Sequence, residues 1–243
     1  MDLILDIGNT RIKYATLTER KLVSKGYCTD NEMENLLKTL SGKLKRLLLS
    51  SVKPITKGQI NMFEKTGITP QILSSKLKMP FINKYKTPET LGADRLALVA
   101  GGLLSYPNKP VLIVDLGTCL TFDFVTEQGV YLGGSISPGL NLRLKALHTL
   151  TGKLPLVSLR EPNDLIGKST NESILSGVVN GIKMEIDGII DWYKLRYPQV
   201  KIILTGGDSA FFDKKLKNSI FADADILLKG MHFILEHNTH EKN

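Results

Sequence analysis

A short pattern that occurs twice in this chain limits its possible folds more than any other feature. Residues 3–17 read LILDIGNTRIKYATL, and residues 111–127 read VLIVDLGTCLTFDFVTE. In each copy an apolar run ends at Asp-x-Gly, small polar residues follow, and a second run of alternating character begins. This pattern predicts two β-strands joined by a tight turn, whose glycine lets a ligand approach the backbone. Two copies about half a chain apart indicate an internal duplication.

The segments between and after the two copies alternate between strand-like and helix-like patterns. Apolar periodicity predicts helices over 31–40, near 57–66, over 91–106 and from about 171 to 196. Short apolar strand patterns separate them. Alternation of this kind is typical of α/β proteins. We therefore predict two duplicated domains, residues 1–108 and 109–243, each beginning with a hairpin.

The turn of each hairpin has the chemistry of a phosphate site. Backbone amides and hydroxyls in an Asp-x-Gly turn can donate hydrogen bonds to phosphate oxygens. The carboxylate of Asp6 can hold a hard cation that bridges those phosphates, and Lys13 can reach a terminal phosphate across the hairpin. A third glycine-rich turn, LTGGD at 204–208, follows a late apolar strand. One such turn alone is often purely structural, but three strand-end loops predict one nucleotide site in a cleft between the halves.

Composition excludes several classes of protein. With 243 residues, 42% of them hydrophobic and 23% charged, the chain matches a folded globular protein rather than a disordered or fibrous one. No apolar run approaches the roughly 18 residues that a membrane span needs. Asp2 and Asp6 stand where a signal peptide carries basic residues. Cys28 and Cys119 have no spacing typical of a disulfide framework or a zinc site. We therefore expect a cytoplasmic protein with no membrane partner.

The net charge of +8 raises the question of nucleic-acid binding. The lysines are scattered, and the densest basic groups, KLKR at 43–46 and KKLK at 214–217, contain no interleaved aromatic residues. We therefore expect no nucleic acid as a partner. A basic surface favours anionic small molecules instead.

The three glycine-containing loops resemble those of the acetate and sugar kinase/Hsp70/actin superfamily. In that superfamily, two duplicated domains of a ribonuclease H-like fold close over ATP. DIGNT resembles its first phosphate motif, DLGTC its second, and LTGGD its adenosine motif. The resemblance implies an α/β fold with two such domains and a nucleotide cleft between them.

Six segments in order make the resemblance more specific. DIGNTRIK, TPETLGADR, VDLGTCLTFD, GGSISPGL, ALHTLTGKLP and GKSTNESILSG span nearly the whole chain and resemble the type III pantothenate kinases. Cys119 is a departure, because the family more often has alanine there. The resemblance implies ATP-dependent phosphorylation of pantothenate to 4′-phosphopantothenate, the first step of coenzyme A biosynthesis. It also implies Mg²⁺ and a monovalent cation, K⁺ or NH₄⁺, as cofactors.

The resemblance assigns the nucleotide side of the site to the two phosphate motifs. It implies that Asp6 lies on the magnesium side and that Asp115 is the ligand of the monovalent cation. The residues implied to bind ATP are Asp6, Ile7, Gly8, Asn9, Thr10, Arg11, Ile12, Lys13 and Thr118.

The resemblance implies that the segment GADR lies where the phosphoryl acceptor binds. Asp94 is the candidate general base, because phosphoryl transfer needs a group that accepts the proton of the acceptor hydroxyl. The alternative is that Asp94 only favours the start of a helix. Arg95 suits the pantothenate carboxylate or the moving phosphoryl group, or else forms a surface ion pair. Gly92 and Ala93 would let the backbone approach the substrate, and Tyr85 matches a tyrosine that contacts it.

Thr170, in GKSTNES, matches a threonine that contacts pantothenate from the neighbouring subunit of a homodimer. From the residues alone, Ser169 or Thr170 is equally an N-cap of the helix that follows. Both interpretations stay open at this point.

Two other functions remain to be compared with this one. Another small-molecule kinase of the superfamily would keep the phosphate motifs and differ around Tyr85 and GADR. A nucleotide-switched regulatory ATPase would have no reason to place an acid next to an arginine on the acceptor side, and such proteins usually carry insertions for which this chain is too short.

Overall fold

The structure is a computed structural model that describes residues 1–8, 12–19, 21–51 and 53–239. Its strands are β1 (Asp2–Ile7), β2 (Ile12–Thr18), β3 (Lys21–Cys28), β4 (Arg46–Ser51), β5 (Gln71–Ile72), β6 (Ile82–Asn83), β7 (Val111–Leu116), β8 (Cys119–Val125), β9 (Val130–Pro138), β10 (Lys201–Thr205) and β11 (Phe221–Ala222). Its α-helices are α1 (Asp30–Leu40), α2 (Lys57–Glu64), α3 (Ala93–Ser105), α4 (Leu140–Thr149), α5 (Thr170–Leu175), α6 (Gly181–Arg196), α7 (Ser209–Phe212) and α8 (Ile226–His237).

The chain forms two compact units. The first unit comprises Met1–Ser105 together with the C-terminal segment from Ile226, and the second unit comprises Tyr106–Asp225. No helix in the described ranges is both long and apolar enough to cross a membrane.

The first unit is built on a sheet of strand order β3-β2-β1-β4-β5. β1 is antiparallel to β2 and parallel to β4. Because side chains alternate between the two faces of a strand, every second residue of β1 points into a core that α1 and α2 cover. The buried members of this core include Leu3, Leu5, Ile7, Met33, Leu37 and Phe63.

Both helices on this face begin with a capping box. The Thr29 hydroxyl accepts a hydrogen bond from the amide of Glu32, and the Glu32 carboxylate accepts one from the amide of Thr29 at 2.7 Å. Thr56 and Gln59 repeat the arrangement at the start of α2. Each pair satisfies backbone amides that a helix start leaves without partners. The predicted helices near 31–40 and 57–66 are therefore observed as α1 and α2.

Helix α8 is anchored to the amino end of β1. His232 and Asp2 are buried, and His232 Nε2 lies 2.9 Å from Asp2 Oδ2. Arg46 Nε donates to Asp2 Oδ1 at 2.8 Å. Burial alone would raise the pKa of Asp2, but hydrogen bonds with His232 and Arg46 hold that pKa well below its ordinary value. Helix α8 also packs closely on α3, since a Cβ on Gly230 would lie 1.8 Å from the carbonyl oxygen of Ala97.

The compact units divide the chain differently from the halves 1–108 and 109–243. The difference arises because α8 returns to the first unit, where its packing on α3 and its hydrogen bond to Asp2 hold it. As a description of the duplicated domains, the halves 1–108 and 109–243 stay a prediction.

The second unit repeats the strand arrangement of the first. Its strands are ordered β11-β10-β7-β8-β9, with β7 antiparallel to β8 and parallel to β10. Alternate residues of β7 and β8, among them Val114 and Phe122, point into a core shared with α5 and α6. The helix predicted from 171 to 196 is observed as α5, a π-helical stretch over Ser176–Asn180, and α6. Two mixed sheets with the same central hairpin confirm the predicted α/β fold with an internal duplication.

Candidate active site

In the first unit, the end of β1 places three polar side chains in one row. Asp6 is paired with Lys13 of β2 and with Ser50 of β4. Residues paired directly across a ladder point to the same face of the sheet. Since Leu5 and Ile7 face the α1 and α2 core, Asp6 and its two neighbours lie on the opposite face. The row Ser50–Asp6–Lys13 therefore forms one polar edge at the carboxyl end of β1.

The Asp6 carboxylate is in an unfavourable environment. Burial raises the pKa of Asp6 above its ordinary value, and the negative charge of Asp94 raises it further. The Ser50 hydroxyl and Lys13 act in the opposite direction. Ser50 is buried, and its hydroxyl completes no hydrogen bond of normal geometry with the described residues, so it acts on the carboxylate as a nearby dipole. Two carboxylates held near each other in this way would be stabilised by a cation.

The other predicted members of the first phosphate motif divide into two groups. Ile7 and Ile12 are buried in the apolar core, so only their backbone groups are available to a ligand. Gly8 is half-buried. The predicted ATP contacts Asn9, Thr10 and Arg11 lie outside the described residues.

Asp94 lies in the first turn of α3. Its Oδ1 accepts a hydrogen bond from the amide of Arg95 at 2.8 Å. A Cβ on Gly92 would lie 2.4 Å from the same oxygen, so a larger residue at this position would displace the carboxylate. Half-buried Ala93 separates Gly92 from Asp94. The hydrogen bond from the Arg95 amide therefore fixes the direction of the Asp94 carboxylate, and the negative charge of this group acts on Asp6.

Arg95 is held by an aromatic ring. It is buried, with 6% of its surface exposed, and its guanidinium carbon lies 5.6 Å from the centre of the Tyr85 ring. A cation over the face of a tyrosine is favoured electrostatically. The backbone of Tyr85 is fixed in turn by a hydrogen bond from its amide to Asn83 Oδ1 at 2.9 Å. The structure thus brings together Tyr85 and Arg95, which the sequence analysis had assigned to the same substrate.

The second unit has an equivalent row at the end of β7. Asp115 is paired with Thr121 of β8 and with Thr205 of β10. All three residues alternate with core residues of their strands, so they lie on the face opposite that core. The row Thr205–Asp115–Thr121 therefore corresponds strand by strand to Ser50–Asp6–Lys13.

Three glycine-containing segments meet beside this row. A Cβ on Gly206, which has φ +96°, would lie 2.4 Å from Asp115 Oδ1 and 2.4 Å from the carbonyl oxygen of Leu116. A Cβ on Gly139 would lie 2.4 Å from the carbonyl oxygen of Gly117. The LTGGD turn and the SISPG segment thus pack directly on the second phosphate motif. Thr118 is exposed at the tip of this motif, where its hydroxyl is accessible to a ligand.

Thr170 is exposed and is the first residue of α5. The N-cap is Ser169, whose hydroxyl accepts a hydrogen bond from the amide of Glu172 at 3.3 Å. Of the two N-cap candidates, Ser169 therefore has this role. Thr170 lines a pocket of about 610 Å³ in the second unit, whose other lining residues are Arg143, Leu147, Leu154, Ser173, Ile174, Gly177 and Val178.

The sequence analysis did not identify Ser50, Thr121 or Thr205 as members of the two rows. For Ser50 and Thr205, the signal was a hydroxyl residue at the end of an apolar strand, in LLLSS and IILT. For Thr121, the signal was its place opposite the repeated aspartate, which requires the strand register.

Structural comparisons agree with this architecture. A conserved Baf family protein from Campylobacter jejuni superposes with a TM-score of 0.63 at 20% identity, covering 98% of this chain and 99% of that one. Component A of (R)-2-hydroxyglutaryl-CoA dehydratase from Acidaminococcus fermentans superposes with a TM-score of 0.51 at 12% identity, covering 99% and 98%. At such identities the likeness shows the fold alone. The fold and the repeated strand-end rows define an α/β protein with two duplicated ribonuclease H-like domains.

The chain belongs to the type III pantothenate kinase family. The family model for type III pantothenate kinase matches residues 2–192. The type III pantothenate kinase of Christiangramia forsetii is 46% identical over 242 residues, which cover 98% of this chain and 99% of that protein. The resemblance found in the six sequence segments is confirmed.

Proposed function

We propose that this chain transfers the terminal phosphoryl group of ATP to the primary hydroxyl of pantothenate and so catalyses the first step of coenzyme A biosynthesis. The observation that carries the proposal is the full-length relationship to type III pantothenate kinases. No observation favours another acceptor or a nucleotide-switched ATPase. The reaction is proposed to take place in the cytoplasm.

Asp94 is proposed as the general base. In the reaction the acceptor oxygen bonds to phosphorus, the bond from phosphorus to the leaving oxygen of ADP breaks, and the hydroxyl proton passes to a carboxylate. Support comes from the fixed direction of the Asp94 carboxylate over Gly92 and from its charge acting on Asp6. A base placed beside the phosphate-side acid would have the acceptor hydroxyl close to the phosphoryl group.

Asp6 is proposed to hold the divalent cation that accompanies ATP. The donor set fits a hard cation: a half-buried carboxylate, a second carboxylate whose charge acts on it, and the hydroxyl of Ser50, which completes no hydrogen bond with the residues that the structure describes. Mg²⁺, when bound, would neutralise charge on the transferred phosphate. Lys13 is proposed to pair with a terminal phosphate, and the backbone groups of the motif with the other phosphate oxygens. The full proposed set for ATP is Asp6, Ile7, Gly8, Asn9, Thr10, Arg11, Ile12, Lys13 and Thr118.

Pantothenate is proposed to bind through its carboxylate to Arg95. A guanidinium binds a carboxylate with two parallel hydrogen bonds when its plane is fixed. The Tyr85 ring and the burial of Arg95 fix that plane. Gly92 and Ala93 are proposed to let the substrate approach the backbone next to Asp94.

Asp115 is proposed to bind a monovalent cation, K⁺ or NH₄⁺. It is the single carboxylate of its row and has a threonine hydroxyl on each neighbouring strand. One negative charge with neutral oxygens suits a monovalent cation, whereas a divalent cation in a protein usually takes several carboxylates.

A homodimer is proposed in which Thr170 contacts the partner's pantothenate. Support comes from the exposure of Thr170 and from the apolar surface of the second unit. Leu195 is 84% exposed, Ile166 73% and Met184 60%. An interface with a second copy of the chain would cover side chains of this kind.

The experiment that tests the function is a coupled ADP-release assay on purified protein with Mg²⁺ and K⁺. Pantothenate is compared with a panel of sugars and small carboxylic acids at equal concentration. We expect release of ADP with pantothenate alone. Faster release with another acceptor would overturn the assignment of substrate, and ADP release that is independent of any acceptor would favour a regulatory ATPase.

A further inference from the structure

The guanidinium of Arg143 joins three groups in the second unit. Arg143 is the fourth residue of α4, and its Nε donates to the carbonyl oxygen of Pro138 at 2.7 Å. Its Nη2 donates to Ser137 Oγ at 3.2 Å and to the carboxylate of Glu185 in α6. Ser137 Oγ donates in turn to the other oxygen of that carboxylate at 2.6 Å. These contacts form one closed network, in which the side chains of Arg143 and Glu185 are 22% and 25% exposed.

This network lies next to the second phosphate motif. Strand β9 ends at Pro138, which is paired with Cys119 of β8. The following residue, Gly139, donates its amide hydrogen to the carbonyl oxygen of Thr118 at 3.1 Å. A Cβ on Gly139 would lie 2.5 Å from the same oxygen, so the end of β9 and the tip of the motif are in direct contact. The Arg143 network is therefore one residue away from the backbone that holds Thr118.

The chemistry of arginine suits this arrangement. A guanidinium is planar and holds its donors at fixed angles, so it can fix two groups relative to each other. Its hydrogen bonds to a carboxylate are stronger than those between neutral groups. In Arg143 these donors reach a backbone oxygen of β9 and a carboxylate on a different helix. The end of β9 is thus anchored to both α4 and α6.

We propose that Arg143 and Glu185 position the second phosphate motif for nucleotide binding, through Pro138 and Gly139. The inference rests on the proposed contact of Thr118 with ATP. The Gly139 amide holds the carbonyl of Thr118, whose hydroxyl is exposed at the tip of the motif. A displacement of the end of β9 would release this carbonyl, and the hydroxyl would move relative to the phosphates. Small errors in the placement of a binding group are costly even when the altered residue touches no ligand. Arg143 is a positioning residue, since it acts through the backbone.

The test measures nucleotide binding without turnover. The Kd of adenylyl imidodiphosphate, which keeps three phosphates and is not hydrolysed, is determined by titration calorimetry in the presence of Mg²⁺. In Arg143→Met, which keeps the length of the side chain and removes its donors, the Kd should rise roughly fivefold or more, the order expected for a network coupled to a binding site. Arg143→Lys keeps the charge but cannot make the paired contacts, so its Kd should also rise. Glu185→Gln, which keeps one acceptor oxygen, should show a smaller rise.

Lys183→Gln is the matched control. Lys183 also lies on α6, and it pairs with Glu161, which is outside α4 and β9. Loss of this ion pair should lower the melting temperature without changing the Kd. An unchanged Kd in Arg143→Met, or an equal rise in the control, would overturn the inference.

A change confined to KM for pantothenate would also overturn the inference, because Arg143 lines the pocket that contains Thr170 and would then act on the acceptor. Should Arg143→Met fold poorly, the Kd of Glu185→Gln decides. The ADP-release assay with pantothenate is run on the same preparations. If the unsubstituted protein releases no ADP with pantothenate but the Kd still rises in Arg143→Met, the proposed substrate is wrong and the positioning role stands.

Discussion

The two hairpins of the duplicated units share a backbone arrangement but differ at one position. In each, an aspartate at the end of the central strand has a hydroxyl residue on the parallel neighbour, Ser50 beside Asp6 and Thr205 beside Asp115. The antiparallel neighbour supplies Lys13 in the first unit and Thr121 in the second. Each row contains a hydroxyl that completes no hydrogen bond with the described residues, Ser50 in the first and Thr121 in the second, and the first row also carries the ammonium of Lys13. This difference in charge is the basis for the proposal that the two rows bind different cations.

The second difference is the number of acids. The charge of Asp94 acts on Asp6 and helps to raise its pKa. The row around Asp115 contains a single carboxylate. A site with two carboxylates and a lysine suits a divalent cation with phosphates, whereas a site with one carboxylate and hydroxyls suits a monovalent cation. The predictions that follow test this division.

The largest expected effect comes from Asp94, the proposed general base in the first unit. Asp94→Asn keeps the size and the hydrogen bond from the Arg95 amide but removes the proton acceptor. We expect turnover with saturating pantothenate to fall by roughly 10²-fold or more, because general base catalysis contributes on that order. The stability should change by at most about 1 kcal/mol, since asparagine is also accepted at a helix start.

The control for this prediction is Asp191→Asn. It makes the same chemical change on α6, where the carboxylate pairs with Lys217, and should leave turnover unchanged. Near-normal turnover in Asp94→Asn would mean that Asp94 only stabilises the start of α3. The first unit would then have no identified base.

A smaller effect is expected when the first row is made to resemble the second. Lys13→Thr removes the ammonium beside Asp6 and leaves a neutral hydroxyl. A hydrogen bond to a charged group contributes about 1.5–3 kcal/mol, so kcat/KM for ATP should fall by roughly tenfold or more. Lys25→Thr, on the exposed edge strand β3, is the control for loss of a lysine. If kcat/KM in Lys13→Thr equals that of the control, Lys13 does not contact a phosphate.

The reverse exchange should have a different consequence. Thr121→Lys places an ammonium opposite Asp115, where we propose that K⁺ binds. The ammonium of the lysine should occupy the place of the cation, so the rate should become nearly the same in KCl and NaCl. Asp115→Asn should also remove the K⁺ response, but in that variant no ammonium replaces the ion. The measurement is the ratio of initial rates in the two salts at equal ionic strength. A ratio that stays at the value of the unsubstituted protein in Thr121→Lys would contradict the equivalence of the two rows.

The sequence was sufficient to predict the duplication, because an apolar strand followed by Asp-x-Gly is a local pattern. It was also sufficient for α1 and α2, whose capping boxes and apolar spacing are local. It did not predict β3, since seven of its eight residues are not buried and show no alternation. The packing of α8 on α3 depends on the close approach at Gly230 and Gly101, which only the tertiary structure reveals.

The rows themselves could not be found by counting along the sequence. Lys13 follows Asp6 by seven residues, whereas Thr121 follows Asp115 by six, because the two hairpin loops differ by one residue. Counting seven from Asp115 gives Phe122, a buried residue of the opposite face. A shift of one residue in a strand exchanges its two faces. The strand register was therefore required to identify Thr121.

The smallest expected effect is on stability, and it compares the two ends of β1. The pKa of Asp6 is raised by burial and by Asp94, so above the ordinary carboxyl pKa of 3.8 the charged form disfavours the folded state. Asp6→Asn should therefore raise the melting temperature at pH 7, by on the order of a few degrees. This gain should disappear as the pH falls below 3.8, because the Asp6 carboxyl is then neutral in both the folded and the unfolded protein.

Asp2 provides the matched control on the same strand, with the opposite sign. Its pKa is lowered by His232 and Arg46, so its charge stabilises the folded state above the ordinary carboxyl value, and Asp2→Asn should lower the melting temperature at pH 7. Thermal melts of both variants between pH 3 and pH 7 make the comparison. A lower melting temperature for Asp6→Asn at pH 7 would mean that the Asp6 carboxylate supports the fold. A higher one, together with loss of turnover, would mean that the first row retains an unfavourable charge because catalysis requires it.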